Sequence, residues 1–508
     1  MVRNVRLLTT IVAALVGLTF EGGPVGKAEA RSQPISNVDT SLAGSERYVL
    51  RVLGKPFYPI EIQVRLDKLR YAWGWDERAR DAIIARAAAD GFNTVSIPIQ
   101  WYEVEPTKDH FDWRVLDEYL ELATRHGLKL ELLWFGANSG GHVQWLGNPK
   151  TNPVHLRTPD YVLHSPDPTS NNTTSEFTIR RDMSAYTLDL ADQRLRARET
   201  FVLGKVMAHV SQWDASHGSP GTLVGVQLGN EVRGINRKAF PPELIVNYIS
   251  AVGSAVKQSA YVVWTRLNCV YVDLLANLEA NQKLRQSLGT NLDFVGIDTY
   301  RHHFKSDQAF IASMASNIPV AQGNYRMIME VSGEFPNAPG LQLSALSGGN
   351  ALDYYDMIGP DAHGMYDRVG TTGFQPHGSY VEDVRLLNRL LDSDIADVAT
   401  KTPGQDLFVH NATGSSTDPS TGARGIVFTP AVANSRAISI SRARNEVVLM
   451  NTRGGTFQLP QTIHVVSATR GYFNREDSWV GQGDVPVAGG LLRAPEGATI
   501  LVVTDERH

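Results

Sequence analysis

The sequence predicts a (β/α)8 TIM barrel followed by a small C-terminal all-β sandwich domain. Between about residues 48 and 380, eight short apolar runs alternate with helical patterns. Strand alternating with helix over this length implies a parallel sheet closed by its crossover helices, and such barrels run from about 200 to over 400 residues. No Gly-rich phosphate loop follows the first run, which disfavours an open doubly wound sheet. After about residue 395 the pattern changes to short β-rich runs separated by Gly, Pro, Asn and Ser, as in an antiparallel sandwich.

Taken in order, residues 1–30 have the form of a signal peptide. Arg3 and Arg6 precede an apolar stretch over 7–20, and Ala28-Glu29-Ala30 offers small residues for cleavage. The stretch is short for a membrane span, and no Cys follows to carry a lipid. The expectation is a periplasmic or secreted protein with no membrane association after cleavage. Residues 31–47 read as an N-terminal linker and 48–380 as the barrel. Its strands are expected at 57–64, 94–100, 129–135, 223–228, 262–267, 294–298, 326–331 and 352–357, with helices at 76–89, 113–126, 191–213, 242–259 and 271–287. A long segment rich in Asn, Pro, Ser and Thr, 136 to about 190, interrupts the third and fourth strands. On a barrel it would overhang the face carrying the strands' C-terminal ends. Residues 381–395 read as a linker helix, and 396–508 as the sandwich, with strands at 425–429, 437–441, 446–451, 463–466 and 499–504.

Composition narrows the function. Across 508 residues the net charge is −5, with 42% hydrophobic and 20% charged residues, ordinary for a globular enzyme and without the basic excess of a nucleic-acid binder. The single cysteine, Cys269, cannot form an intramolecular disulfide and lies in an apolar run, as a buried thiol does. No phosphate loop, dinucleotide fingerprint or Gly-x-Ser-x-Gly elbow occurs, so no cofactor is expected. His302-His303 lacks a third ligand at recognisable spacing, so no metal site is assigned.

The chemistry is expected from two carboxylates. The apolar run 223–229 ends on Asn230-Glu231, and the run 327–329 ends on Glu330. Buried parallel strands deliver the residues at their C-terminal ends to the barrel mouth. Two glutamates delivered there suit glycoside hydrolysis. One, held protonated, gives its proton to the leaving oxygen, and the other, ionised, attacks the anomeric carbon. Separations of about 5–5.5 Å permit retention, whereas about 6.5–9.5 Å leaves room for a water and inversion. Asn230 could bond a sugar hydroxyl, and Tyr300 and Arg65 are candidate donors to Glu330. A Glu231 that caps a helix or pairs with Arg233 remains open, as does Glu334 in place of Glu330. Aromatic residues recur at the same ends: Trp101 and Tyr102, Trp134 and Phe135, Tyr300, Tyr354 and Tyr355. Of these, Trp101, Trp134 and Tyr354 are expected to pack against sugar C–H faces. His142, in a Gly-Gly-His loop, is expected to touch substrate.

Residues 91–101 (Gly-Phe-Asn-Thr-Val-Ser-Ile-Pro-Ile-Gln-Trp), then Glu105-Pro106 and Phe111-Asp112, resemble the second-strand region of clan A glycoside hydrolases, closest to the β-galactosidase families 35 and 42. Residues 55–60 (Lys-Pro-Phe-Tyr-Pro-Ile) look like their first strand. The resemblance spans roughly 50–360. It implies that Glu231 is the acid/base, Glu330 the nucleophile and Tyr300 the residue that holds the nucleophile. Three departures concern the sugar. Leu-Gly-Asn-Glu stands where family 35 has a Glu-Asn-Glu phrase, residues 134–138 through Asn138 differ from the family 42 third-strand end, and Tyr354 stands where many relatives have Trp. The expected function is an exported, retaining, exo-acting β-glycosidase, β-galactosidase-like, acting on an oligosaccharide or polysaccharide-derived substrate, as a monomer or homo-oligomer. A same-clan enzyme for α-L-arabinofuranosides, β-mannosides or β-glucosides, and a non-catalytic carbohydrate-binding barrel, are the alternatives.

Overall fold

The computed structural model describes residues 33–42, 48–137, 145–146, 154–155, 158–163, 178–181, 186–231, 242–270, 291–316, 324–359 and 364–505. The expected signal peptide, the helix at 271–287, Asn138 and His142 lie outside these residues.

Eight parallel strands close into a barrel: β1 (Ile60–Gln63), β2 (Thr94–Gln100), β3 (Lys129–Phe135), β4 (Leu223–Gln227), β5 (Trp264–Val270), β6 (Phe294–Asp298), β7 (Met327–Ser332) and β8 (Ala351–Tyr355), with β8 pairing back onto β1. The predicted barrel is therefore present. Nearly every strand residue is buried, because one side faces the interior and the other the surrounding helices. The expected first strand at 57–64 is in fact two. Lys55–Phe57 turns back antiparallel onto Val49–Val52, and the barrel strand begins at Ile60, just after Pro59, which has no N–H for a ladder. Part of the expected 31–47 linker is also strand: Ser36–Asp39 pairs with Val49–Val52, and the Ser36 backbone segment is tied to the barrel through Ile35 N–H to Val262 O at 2.9 Å.

The expected linker helix is a barrel helix. Tyr380–Asp392 buries Val381, Val384, Leu387, Leu390 and Leu391, Asn388 donates to the Asp90 carbonyl at 3.0 Å, and the helix packs on the barrel against β1 and the helix Ala338–Ser347. Its apolar stripe, not a boundary signal, decides its place. Beyond it, two antiparallel sheets form the sandwich. One runs in the order Leu407–His410, Ala437–Ala443, Glu446–Asn451, Ala498–Thr504, Val465–Phe473, Trp479–Asp484. The other runs Ser420–Thr421, Val427–Pro430, Gly455–Gln458, Leu491–Ala494, Val487–Ala488. Alternate residues of the first sheet serve two cores. Ile438, Ile440, Val448, Met450 and Leu501 join the barrel's core, whereas Val447, Leu449, Ile500 and Val502 face Phe428 and Phe457 across the sandwich. Among the described residues no helix is long and apolar enough to cross a membrane.

The barrel interior is charged below the mouth. Arg266 on β5 is fully buried, 2.8 Å from Glu131 on β3, 3.1 Å from Asp353 on β8 and 3.5 Å from Glu61 on β1. Gly225 makes room for this layer, since a Cβ there would collide with the Trp264 indole and the Glu131 carboxylate. One guanidinium cannot balance three carboxylates away from water. Burial accordingly pushes Asp353 up to about 7 and Glu61 well above its ordinary range.

Burial likewise lifts Glu103 and Glu199 to about 7. A carboxyl whose pKa is higher folded than unfolded binds more protons in the native state, so stability falls as pH rises from about 4 through 7. His410, pushed down to about 4 by burial, acts in the opposite sense, but the carboxyls outnumber it. The melting temperature is therefore expected to be higher at pH 5 than at pH 7 by at least ~2 °C. Calorimetry at the two pH values checks this; a lower Tm at pH 5 contradicts it.

Candidate active site

The chain leaves β4 at Gln227 and reaches Asn230 and Glu231 at the C-terminal mouth. Glu231 adopts φ +47°, a left-handed conformation that costs a residue bearing a Cβ about 1–2 kcal/mol. Its N–H donates to Asn268 Oδ1 at 2.9 Å, and Asn268 lies near the end of β5. Strained backbone held by a specific bond is common where side-chain direction matters. The Asn268 amide nitrogen donates in turn to Asn230 Oδ1 at 3.1 Å, Asp298 Oδ2 at 3.0 Å and Glu330 Oε1 at 3.4 Å.

Glu330 sits on β7, two residues before the strand ends, beside its register partner Asp298 on β6. The Tyr300 hydroxyl donates to Glu330 Oε2. Burial and then the neighbouring Glu231 charge push Glu330 up to about 7, while the Tyr300 hydroxyl and the Arg65 charge pull it back. Asp298 is raised well above its ordinary range by burial and then by the charges of Glu330 and Glu231. Its Oδ1 is buried without a hydrogen-bond partner. One carboxylate oxygen from each of Glu231, Asp298 and Glu330 lies within 4.8 Å of the others.

Three converging carboxylates have the donor chemistry for a hard cation. Here the Tyr300 O–H donates to Glu330 and the Asn268 amide nitrogen to Asp298 and Glu330, so oxygens of two of the three carboxyl groups already accept hydrogen bonds from the protein. His302 and His303 lie 4.2 Å apart in a 3-10 turn, with His302 stacked on Tyr300 at 5.9 Å. Among the described residues they form no ligand group with a third side chain.

Of the residues expected in the site, Glu231, Glu330, Asn230 and Tyr300 come together. Arg65 lies near but does not donate to Glu330. It forms a bidentate pair with Asp67 at 2.9 and 2.7 Å and stacks over Phe135 at 5.6 Å, acting on Glu330 only through its charge. Three aromatics point the wrong way. Trp101 is buried against Tyr161 and donates to Glu105 at 3.0 Å, because the chain turns into a helix there. Trp134 faces outward and donates to Glu199 on the helix Gln193–Ser216 at 2.8 Å. Tyr354 faces the helix Ala338–Ser347 and donates to the Ala338 carbonyl at 2.7 Å. The adjacent residues, Phe135 over Arg65 and the partly exposed Tyr355 within electrostatic reach of it, take the inward positions. Glu334 lies past the end of β7, beside Tyr380 and outside the carboxylate trio. Asn268, Asp298 and Asp67 were not singled out from the sequence. Each is a polar residue within or just beyond an apolar run, the same signal that marks Glu330.

A closed barrel with acidic side chains converging at its mouth has a geometry that glycoside hydrolysis can use. Residues 71–158 match a family model described as Beta-galactosidase (glycoside hydrolase family 42), so the resemblance read from β2 holds there. Residues 244–385 match a Domain of unknown function (DUF4978). No curated protein matches the sequence. Similar solved structures include endo-glycoceramidase II from Rhodococcus sp., 14% identical over 89% of this chain and 98% of that chain, with a TM-score of 0.44. Another is the exo-β-1,4-mannosidase Op5Man5 from Opitutaceae bacterium strain TAV5, 14% identical over 69% and 62%, TM-score 0.46. A third is the family 30 subfamily 8 xylanase Xyn30A from Clostridium acetobutylicum, 10% identical over 88% and 96%, TM-score 0.44.

Proposed function

We propose that the protein is an exported, retaining, exo-acting β-glycosidase that removes galactose or a related sugar from oligosaccharide or polysaccharide-derived substrates. The observation that carries this reading is the approach of Glu231 and Glu330 oxygens to within 4.8 Å across the barrel mouth. Carboxyl groups about 5–5.5 Å apart suit retention and about 6.5–9.5 Å inversion, and oxygens this near support the retaining reading.

In the first step an oxygen of ionised Glu330 bonds the anomeric carbon as the glycosidic bond breaks, and Glu231 gives its proton to the departing oxygen. The Tyr300 hydroxyl orients the attacking carboxylate. Esterification removes the Glu330 charge, and Glu231, now an anion, takes a proton from the water that attacks the anomeric carbon and breaks its bond to the Glu330 oxygen. That second displacement restores the β configuration, frees Glu330 and returns the proton to Glu231.

Galactose as the sugar is supported by the family model over 71–158, and export by the form of residues 1–30. A panel of nitrophenyl β-D-galactoside, β-D-glucoside, β-D-mannoside and α-L-arabinofuranoside tests the reading. Turnover is expected, with the galactoside best. Turnover of another member changes the sugar and keeps the mechanism. No turnover, with a monosaccharide still raising the melting temperature, identifies a binding barrel instead.

A further inference from the structure

We infer that Asn268 is the positioning residue for the acid/base. Through one side-chain amide it fixes the backbone that aims Glu231 and ties that backbone to the nucleophile's strand. This inference rests on the assignment of Glu231 as proton donor and says how the donor is held.

Three observations carry it. Glu231 stands in a left-handed conformation unusual for a residue bearing a Cβ, and its N–H is bonded to Asn268 Oδ1. The same amide's nitrogen reaches Asn230, Asp298 and Glu330, side chains from the ends of β4, β6 and β7. Asn268 itself is fully buried on β5, one strand from Glu231 and two from Glu330, so its rotamer is set by the barrel rather than by a loop. Only a primary amide offers an acceptor to the Glu231 N–H and two N–H bonds to share among the three neighbouring oxygens. The Tyr300 bond to Glu330 is independent of Asn268. Loss of the amide should therefore disturb the proton donor far more than the nucleophile.

That asymmetry is measurable. A poor leaving group needs its oxygen protonated as the bond breaks, whereas dinitrophenolate departs unaided. With phenyl and 2,4-dinitrophenyl glycosides of the sugar that the panel selects, Asn268→Ala should lower kcat/KM about 10²-fold on the phenyl substrate and less than ~5-fold on the dinitrophenyl one. The dinitrophenyl rate also reports whether the variant folds. If Asn268→Ala does not fold, Asn268→Ser, with a small polar side chain, should show the same split. In the Asn268→Ala/Glu231→Gln double variant, the phenyl rate should match that of Glu231→Gln alone within ~3-fold, because the two changes remove one function. Equal losses on both leaving groups in the Ala and Ser variants, or additive losses in the double variant, overturn the inference. Glu231→Gln is the control: if it shows no leaving-group split, the assignment of Glu231 fails. If it does and the Asn268 variants do not, only the role of Asn268 fails.

Discussion

Replacing Glu330 by Ala is expected to lower kcat by ~10⁴-fold or more, the scale seen when a covalent nucleophile is removed. Asp298, its register partner, is pushed well above the usual carboxylate range by burial and then by the charges of Glu330 and Glu231. Glu334 lies past the end of β7 beside Tyr380. Truncation also opens space on the face of the sugar that Glu330 would attack. Added azide should enter there, bond the anomeric carbon and give a glycosyl azide of inverted configuration, recovering part of the rate with an activated substrate. Glu334→Ala should stay within a few-fold of the parent enzyme. If Glu334→Ala shows the loss and the azide product while Glu330→Ala does not, the nucleophile is misassigned.

Replacing Glu231 by Gln is the second large effect, a loss of about 10²–10⁴-fold in kcat/KM on substrates whose leaving group must be protonated. The amide keeps the size of the side chain and the backbone N–H bond to Asn268, so the loss reports the proton and not the fold. Activity within a few-fold on a phenyl glycoside contradicts the assignment.

The two glutamates were legible because a carboxylate that ends an apolar run has few structural explanations. Tyr300 was legible for the same reason, at the end of β6. The direction of the aromatics was not. A strand buried on both faces shows no alternation of polar and apolar residues, so nothing in the runs at 129–135 or 352–357 says which side is inside. A weaker signal was present: Glu131 and Asp353 are charged residues within those strands, and both meet Arg266 in the barrel interior. Counting by twos from Glu131 reaches Phe135, and from Asp353 reaches Tyr355, not Trp134 and Tyr354. Arg65 was read as a donor to Glu330 because its pairing with Asp67, two residues on, takes shape only when the chain turns into the helix Leu66–Tyr71. The sandwich was legible in kind but not in detail. Its core strands are apolar, whereas polar strands such as Trp479–Asp484 carry no hydrophobic signal. Asn268 was passed over because an Asn inside an apolar run reads as a satisfied core residue, and only the folded barrel brings Glu231 to it.

One measurement tests the central claim most directly. The protein would be incubated with the 2,4-dinitrophenyl 2-deoxy-2-fluoro-β-glycoside of the preferred sugar, digested, and its peptides mapped by mass. The fluorine slows both displacements and the dinitrophenolate speeds the first, so a covalent sugar ester should accumulate on Glu330. A fluoroglycosyl group on Glu334 or on Asp298, or an enzyme that turns over its natural-configuration glycoside yet never becomes labelled, would contradict the account.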